Sequence, residues 1–108
     1  MSVYLIADIE ITDDGWVPGY ASEAHKIVER HGGRYLSRSG NIATLEGKGP
    51  DSTLIAIIEF PTRAALDGFV ADPDYAPHAR ARQAGAISVF RVIDDTDLAG
   101  TISYLKAG

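Results

Sequence analysis

A chain of 108 residues, 45% hydrophobic and 23% charged, has the composition of a single folded domain with one core. Its formal net charge is −5, from 10 Lys+Arg against 15 Asp+Glu, with no basic run. Phosphate binding needs a concentrated positive face, so nucleic acid is not expected as a partner. The absence of cysteine excludes disulfides, thiolate metal sites and a cysteine nucleophile, and it suits a reducing cytoplasm.

The apolar run that begins at Val3 is cut by Asp8 and has no basic leader. Neither a secretion signal nor a membrane span is predicted, and the protein is read as cytoplasmic. Val3 to Ile11 alternates as a strand, with Val3, Leu5, Ala7, Ile9 and Ile11 on one face and Tyr4, Ile6, Asp8 and Glu10 on the other. Thr12-Asp13-Asp14-Gly15 is a turn, and Pro18 suits the opening of a helix, where its missing N–H costs nothing. Val17, Tyr20, Ala21, Ala24, Ile27, Val28 and His31 then recur at helical spacing, opposite Ser22, Glu23, Lys26, Glu29 and Arg30. Gly32, just past that stripe, is the residue that can take the left-handed angles of a helix cap.

A strand is predicted over Tyr35–Ser37, broken at Ser39-Gly40-Asn41 and resumed over Ile42–Glu46. After a turn at Gly47–Asp51, the apolar and β-branched run Thr53–Phe60 reads as a central strand covered on both faces. Thr62 is placed to cap a helix through about Ala71 that buries Ala65, Leu66, Phe69 and Val70. Asp72-Pro73-Asp74 ends it and starts a shorter helix from Tyr75 to about Ala84. Ile87–Ile93 is the last strand.

The order strand, helix, strand, strand, helix, strand predicts an α+β fold, the ferredoxin-like βαββαβ antiparallel sheet with its helices on one face. Residues 1–94 form that domain. Residues 95–108 form an extension whose Leu98 and Ile102-Ser103-Tyr104-Leu105 are too apolar to float free, and it is expected to pack on a dimer of this chain. Two helices cover one side of such a sheet and leave Tyr4, Ile6, Ile55 and Ile57 beside Asp8, Glu10 and Glu59 on the other. A second copy of the same sheet is the economical cover, since a two-fold interface has only to match itself. A homodimer enclosing a partly polar cavity is therefore expected.

Several short motifs carry a family resemblance over roughly residues 3–93. They are Trp16-Val17-Pro18-Gly19-Tyr20, His31-Gly32-Gly33-Arg34-Tyr35-Leu36 with Arg38 and Gly40 behind it, Leu45-Glu46-Gly47, Ile58-Glu59-Phe60-Pro61, and Asp72-Pro73-Asp74-Tyr75 followed by Arg82. In these the chain resembles the domain-of-unknown-function 1330 family, within the dimeric α+β barrel superfamily. The resemblance implies the barrel dimer, and it places the chain among relatives that include cofactor-independent monooxygenases, lactone isomerases, haem enzymes and ligand-sensing domains. This chain has Arg38-Ser39-Gly40 where members commonly have an arginine and two glycines, and its extension is longer than theirs.

Candidate site residues follow from charge and spacing. Arg34 and Arg38 stand four apart, which on a regular strand puts both guanidinium groups on one face. They would bind a carboxylate, phosphate or enolate, or pair with Asp8, Glu10 or Glu59 across the dimer. Glu59 lies in the most apolar strand, where burial would raise its pKa toward that of a general base and an arginine would pull it back; Asp8 carries the same ambiguity. Tyr75 and Arg82 lie two helical turns apart on one stripe, as ligand contacts or as packing and tethering groups. Tyr20 belongs to the core stripe of the first helix, with its hydroxyl at a cavity rim.

His25, His31 and His78 lack metal-site spacing, and no metal is predicted. Position 42 is Ile where a phosphate loop needs glycine, and no Gly-x-Ser-x-Gly elbow occurs. The expectation is a homodimer that binds a small anionic or polyketide-like organic molecule and uses no cofactor. As an enzyme it would carry out proton transfer, isomerisation or monooxygenation, with Asp8 or Glu59 moving the proton and Tyr20, Arg34, Arg38, Tyr75 and Arg82 holding the substrate. The alternative is a non-catalytic dimerisation or ligand-sensing module.

Overall fold

In the computed structural model, which describes residues 1–100, strand β1 (Val3–Ile11) leads through a 3-10 turn at Asp14–Trp16 into helix α1 (Val17–Arg30). Strands β2 (Arg34–Ser39) and β3 (Leu54–Phe60) follow, then helices α2 (Arg63–Val70) and α3 (Ala76–Gly85) and strand β4 (Ala86–Asp94). The four strands form one antiparallel sheet in the order β2-β3-β1-β4, as the ferredoxin-like reading requires.

The alternation in β1 sorts its faces. Val3, Leu5, Ala7 and Ile9 are buried under the helices, while Tyr4, Ile6, Asp8 and Glu10 are only half-buried on the open side. The core joins Val3, Leu5, Ile58 and Phe60 of the sheet to Ala24, Ile27 and Val28 of α1, Leu66 and Phe69 of α2, and Tyr75. A second cluster of Ala7, Ile9 and Ala56 packs against Trp16, Tyr35 and Phe90.

Helix α1 ends as its glycines predict. Gly32 has φ +80°, its N–H donates to the Glu29 carbonyl (3.0 Å), and the Gly33 N–H donates to the Val28 carbonyl (2.9 Å). These are the paired bonds of a Schellman cap. At the predicted α2 cap, the Thr62 hydroxyl accepts from the Ala65 N–H (3.0 Å).

Several expectations need correction. Residues 41–53 form neither helix nor strand, so the predicted Ile42–Glu46 strand is absent. The β2–β3 ladder ends at Ser39↔Ile55, and residues 42–46 pair with no strand beyond it; Leu45 is 98% exposed. Strand β3 is central, but one side of it is left half-buried at Ile55, Ile57 and Glu59. Val70, expected in the core, is exposed at the end of α2. On the open face of β4, Ile87, Val89 and Ile93 are 61%, 53% and 56% exposed, apolar positions interspersed with Arg91 and, across the register, with Asp8 and Glu10 of β1.

The start of the extension is tied to β1: the Asp95 carboxylate accepts from the Ser2 N–H (3.1 Å) and the Tyr4 hydroxyl (2.7 Å). The apolar group Ile102–Leu105 lies outside the described residues. No helix among the described residues is long and apolar enough to cross a membrane.

Candidate functional site

Between α1 and the helix-covered face of the sheet lies an apolar cavity of about 130 Å³. Trp16, Tyr20, Tyr35 and Tyr75 contribute its aromatic wall, and Arg38 lines one side. The geometry comes from element spacing. Tyr20 sits on the inward stripe of α1, and Tyr75 opens α3 just after the Asp72-Pro73-Asp74 turn, so two helices bring their phenols together with hydroxyls 2.6 Å apart. The Trp16 ring meets Tyr20 edge-on at 5.3 Å between centroids, which holds the Tyr20 ring in place. Burial, and then the neighbouring Tyr75 oxygen, push the Tyr20 phenol well above its ordinary pKa. Tyr20 therefore remains protonated, and either of the two hydroxyls can donate in the bond between them.

Tyr75 is anchored through a clamp at the end of α1. The Asp72 carboxylate, almost fully buried, accepts from His31 Nε2 (2.7 Å), Arg30 Nη1 (3.2 Å) and the Asp74 N–H (2.8 Å). These bonds, led by that from His31, hold the Asp72 carboxyl below the usual carboxylate range. A carboxyl depressed in the folded state contributes stability above its unfolded pKa and loses it as pH falls through the folded value. The clamp should therefore weaken below about pH 4. Asp72→Asn is expected to lower Tm at pH 7 and to flatten the dependence of Tm on pH below 4, and thermal unfolding across pH 2–7 checks both.

A second recess, an open groove of about 570 Å³, runs between α2, α3 and β4. It shares Leu5, Phe69, Tyr75 and Phe90 with the cavity. Arg82 lines it, with Cζ 4.1 Å from the centre of the Phe90 ring.

The family model described as Domain of unknown function (DUF1330) matches residues 2–96. The chain belongs to this family. No curated protein matches this DUF1330 chain. Among solved structures, a protein of unknown function from Rhodopseudomonas palustris superposes with a TM-score of 0.77 at 18% identity, over 89% of this chain and 83% of that one. A Dabb-family protein with a ferredoxin-like fold from Mesorhizobium loti gives 0.65 at 14% identity, over 89% and 98%. SnoaB, a cofactor-independent oxygenase from Streptomyces nogalater, gives 0.63 at 15% identity, over 92% and 97%. At these identities the likeness is one of fold.

Within this DUF1330 fold the expected site residues divide between the two faces of the sheet. Tyr20, Tyr75 and Arg38 meet at the cavity, and Arg82 lies in the adjoining groove. Arg34, Asp8 and Glu59 lie on the open face, where Arg34 Nε donates to Glu59 Oε1 (2.7 Å) and the Ser52 hydroxyl donates to Asp8 Oδ1. The expectation that Arg34 and Arg38 share a face is therefore wrong. Tyr35 pairs with Ile58 and Ser37 with Ile57, so a bulge at Leu36 breaks the alternation. Arg34 stays opposite Glu59, whereas Arg38 comes opposite Ala56 and lies with its Cζ 4.5 Å from the Tyr35 ring centre. The cavity roles of Trp16 and Tyr35 were not foreseen, although both stand in the quoted family motifs.

Proposed function

We propose that this DUF1330 domain is a cytoplasmic homodimer that binds a small organic molecule in the Tyr20–Tyr75 cavity and acts on it without a cofactor, by proton transfer or oxygenation. The observation that carries the reading is a pair of hydroxyls 2.6 Å apart in an apolar cavity that Arg38 also lines. At about 130 Å³ the cavity is slightly smaller than the roughly 150 Å³ that holds benzene, which limits the part of a guest it encloses to a single ring. An enol or phenol that gives up its proton to solvent there leaves an oxyanion beside a hydroxyl that stays protonated and a guanidinium cation, both of which favour it. The fold neighbour SnoaB, a cofactor-independent oxygenase, supports the class of chemistry by analogy.

The dimer is supported by the open face, where Ile87, Val89 and Ile93 are exposed beside half-buried Tyr4, Ile6, Ile55 and Ile57. Asp8 and Glu59 are on that face and would transfer a proton only to a ligand held between the two copies; Arg34 would hold such a ligand from the same side. One observation favours the non-catalytic, ligand-sensing alternative: no carboxylate among the described residues lines the cavity to act as a base.

The test uses 4-nitrophenol, whose absorption reports ionisation. Saturable binding with a stabilised phenolate band is expected, weakened about tenfold by Tyr20→Phe through loss of one hydrogen bond of roughly 1.4 kcal/mol. Arg38→Ala should remove the preference for phenolate. Binding that neither substitution alters would overturn the cavity assignment, and a monomer in light scattering at micromolar concentration would overturn the dimer.

A further inference from the structure

Arg82 is 5% exposed, and its Nε has no hydrogen-bond partner. Among the described residues no carboxylate lies within 4.0 Å of its guanidinium, and residues 101–108 contain no Asp or Glu. The Ser88 hydroxyl, on the neighbouring strand, is also buried without a partner, and both side chains line the same groove. A guanidinium Nε and a hydroxyl buried without a hydrogen-bond partner are costly unless a guest completes them.

The carboxylate that lines the groove is already engaged, because Asp67 accepts from Arg63 Nε (2.9 Å). The Phe90 ring beneath Arg82 restrains the guanidinium plane, which suits a forked approach by a planar anion. Apolar residues of the groove, Leu5, Phe69, Val70 and Val92 among them, favour a guest whose remaining body is hydrophobic. The chain's net charge of −5 disfavours a polyanion.

We infer that the groove between α2, α3 and β4 is a carboxylate-binding site, in which Arg82 and Ser88 receive the acid group of an aromatic or aliphatic carboxylic acid. This deepens the proposed function by giving the substrate's charged end a place beside the cavity, and it rests on that reading only for which molecule is bound. No covalent step is involved.

Benzoate and its neutral counterpart benzamide are the probes, with binding followed by amide NMR shifts. Benzoate is expected to shift the amides of Arg82–Phe90 saturably, and benzamide is not. Arg82→Gln should abolish the effect, and Ser88→Ala should weaken it three- to tenfold. If Arg82→Gln does not fold, Ser88→Ala decides. Shifts centred elsewhere, equal binding of benzamide, or an unchanged affinity in Ser88→Ala would each overturn the inference. A parallel titration with 4-nitrophenol separates the two readings. Phenol binding without benzoate binding overturns the groove alone, and the reverse overturns the cavity alone.

Discussion

Phe69→Ala is expected to destabilise the protein by about 3–5 kcal/mol, the range for removing a buried aromatic ring. Phe69 is 1% exposed, and its ring lies 4.3 Å from that of Tyr75 and 5.6 Å from that of Phe60, centre to centre. The loss therefore combines apolar burial, two aromatic contacts and the cavity left behind. Domains of this size are stable by only about 5–15 kcal/mol, so the variant should lie near its folding threshold. Phe69 also walls both the cavity and the groove, and without it Tyr75 loses the surface that holds its hydroxyl against Tyr20. Urea denaturation checks the stability and 4-nitrophenol binding checks the site. A stability loss under about 1 kcal/mol, well below the range for buried rings, would show that the ring is not packed as described.

Gly85→Ala should cost about 3 kcal/mol, combining overpacking with weakened hydrogen bonds. A Cβ at position 85 would lie 2.7 Å from Trp16 Nε1 and 2.8 Å from the Asp13 carbonyl oxygen. The backbone oxygen cannot swing aside as a flexible side chain would. The Gly85 carbonyl accepts from the Thr12 N–H (2.9 Å), the Asp13 N–H (3.0 Å) and Trp16 Nε1 (3.1 Å), so a shift of Gly85 disturbs all three bonds. They fasten the end of β1 to the α3–β4 junction and set the Trp16 wall of the cavity. Gly19→Ala is the matched control: its Cβ meets nothing within 4 Å, and in helix α1 alanine should add about 0.5–1 kcal/mol. Thermal melts of the two variants should move in opposite directions, and a neutral Gly85→Ala would contradict the packing at Trp16.

The elements were legible where local chemistry and burial agree. β1 alternates because one of its faces is buried, Gly32 stops α1 because the cap needs a positive φ, and Thr62 starts α2 because its hydroxyl satisfies a free N–H. Pattern misled where no partner waited. Ile42–Glu46 has a strand's composition but no neighbouring strand, and Val70 has a core residue's chemistry at a helix end that faces a groove. Of the site, Tyr20 and Tyr75 were legible as residues, but their meeting was not, since 55 positions separate them and only the packing of α1 against α3 brings the hydroxyls together.

By itself, the sequence determined the order of the elements, their caps and the apolar face of the sheet, because these follow from periods and backbone preferences acting over a few residues. Which charges share a face was decided by the tertiary structure. The bulge at Leu36 arises in the pairing of β2 with β3, and it sends Arg34 to Glu59 and Arg38 to the cavity. The unmatched Arg82 was likewise a tertiary outcome, because whether a buried cation has a counter-charge depends on what the rest of the fold places beside it.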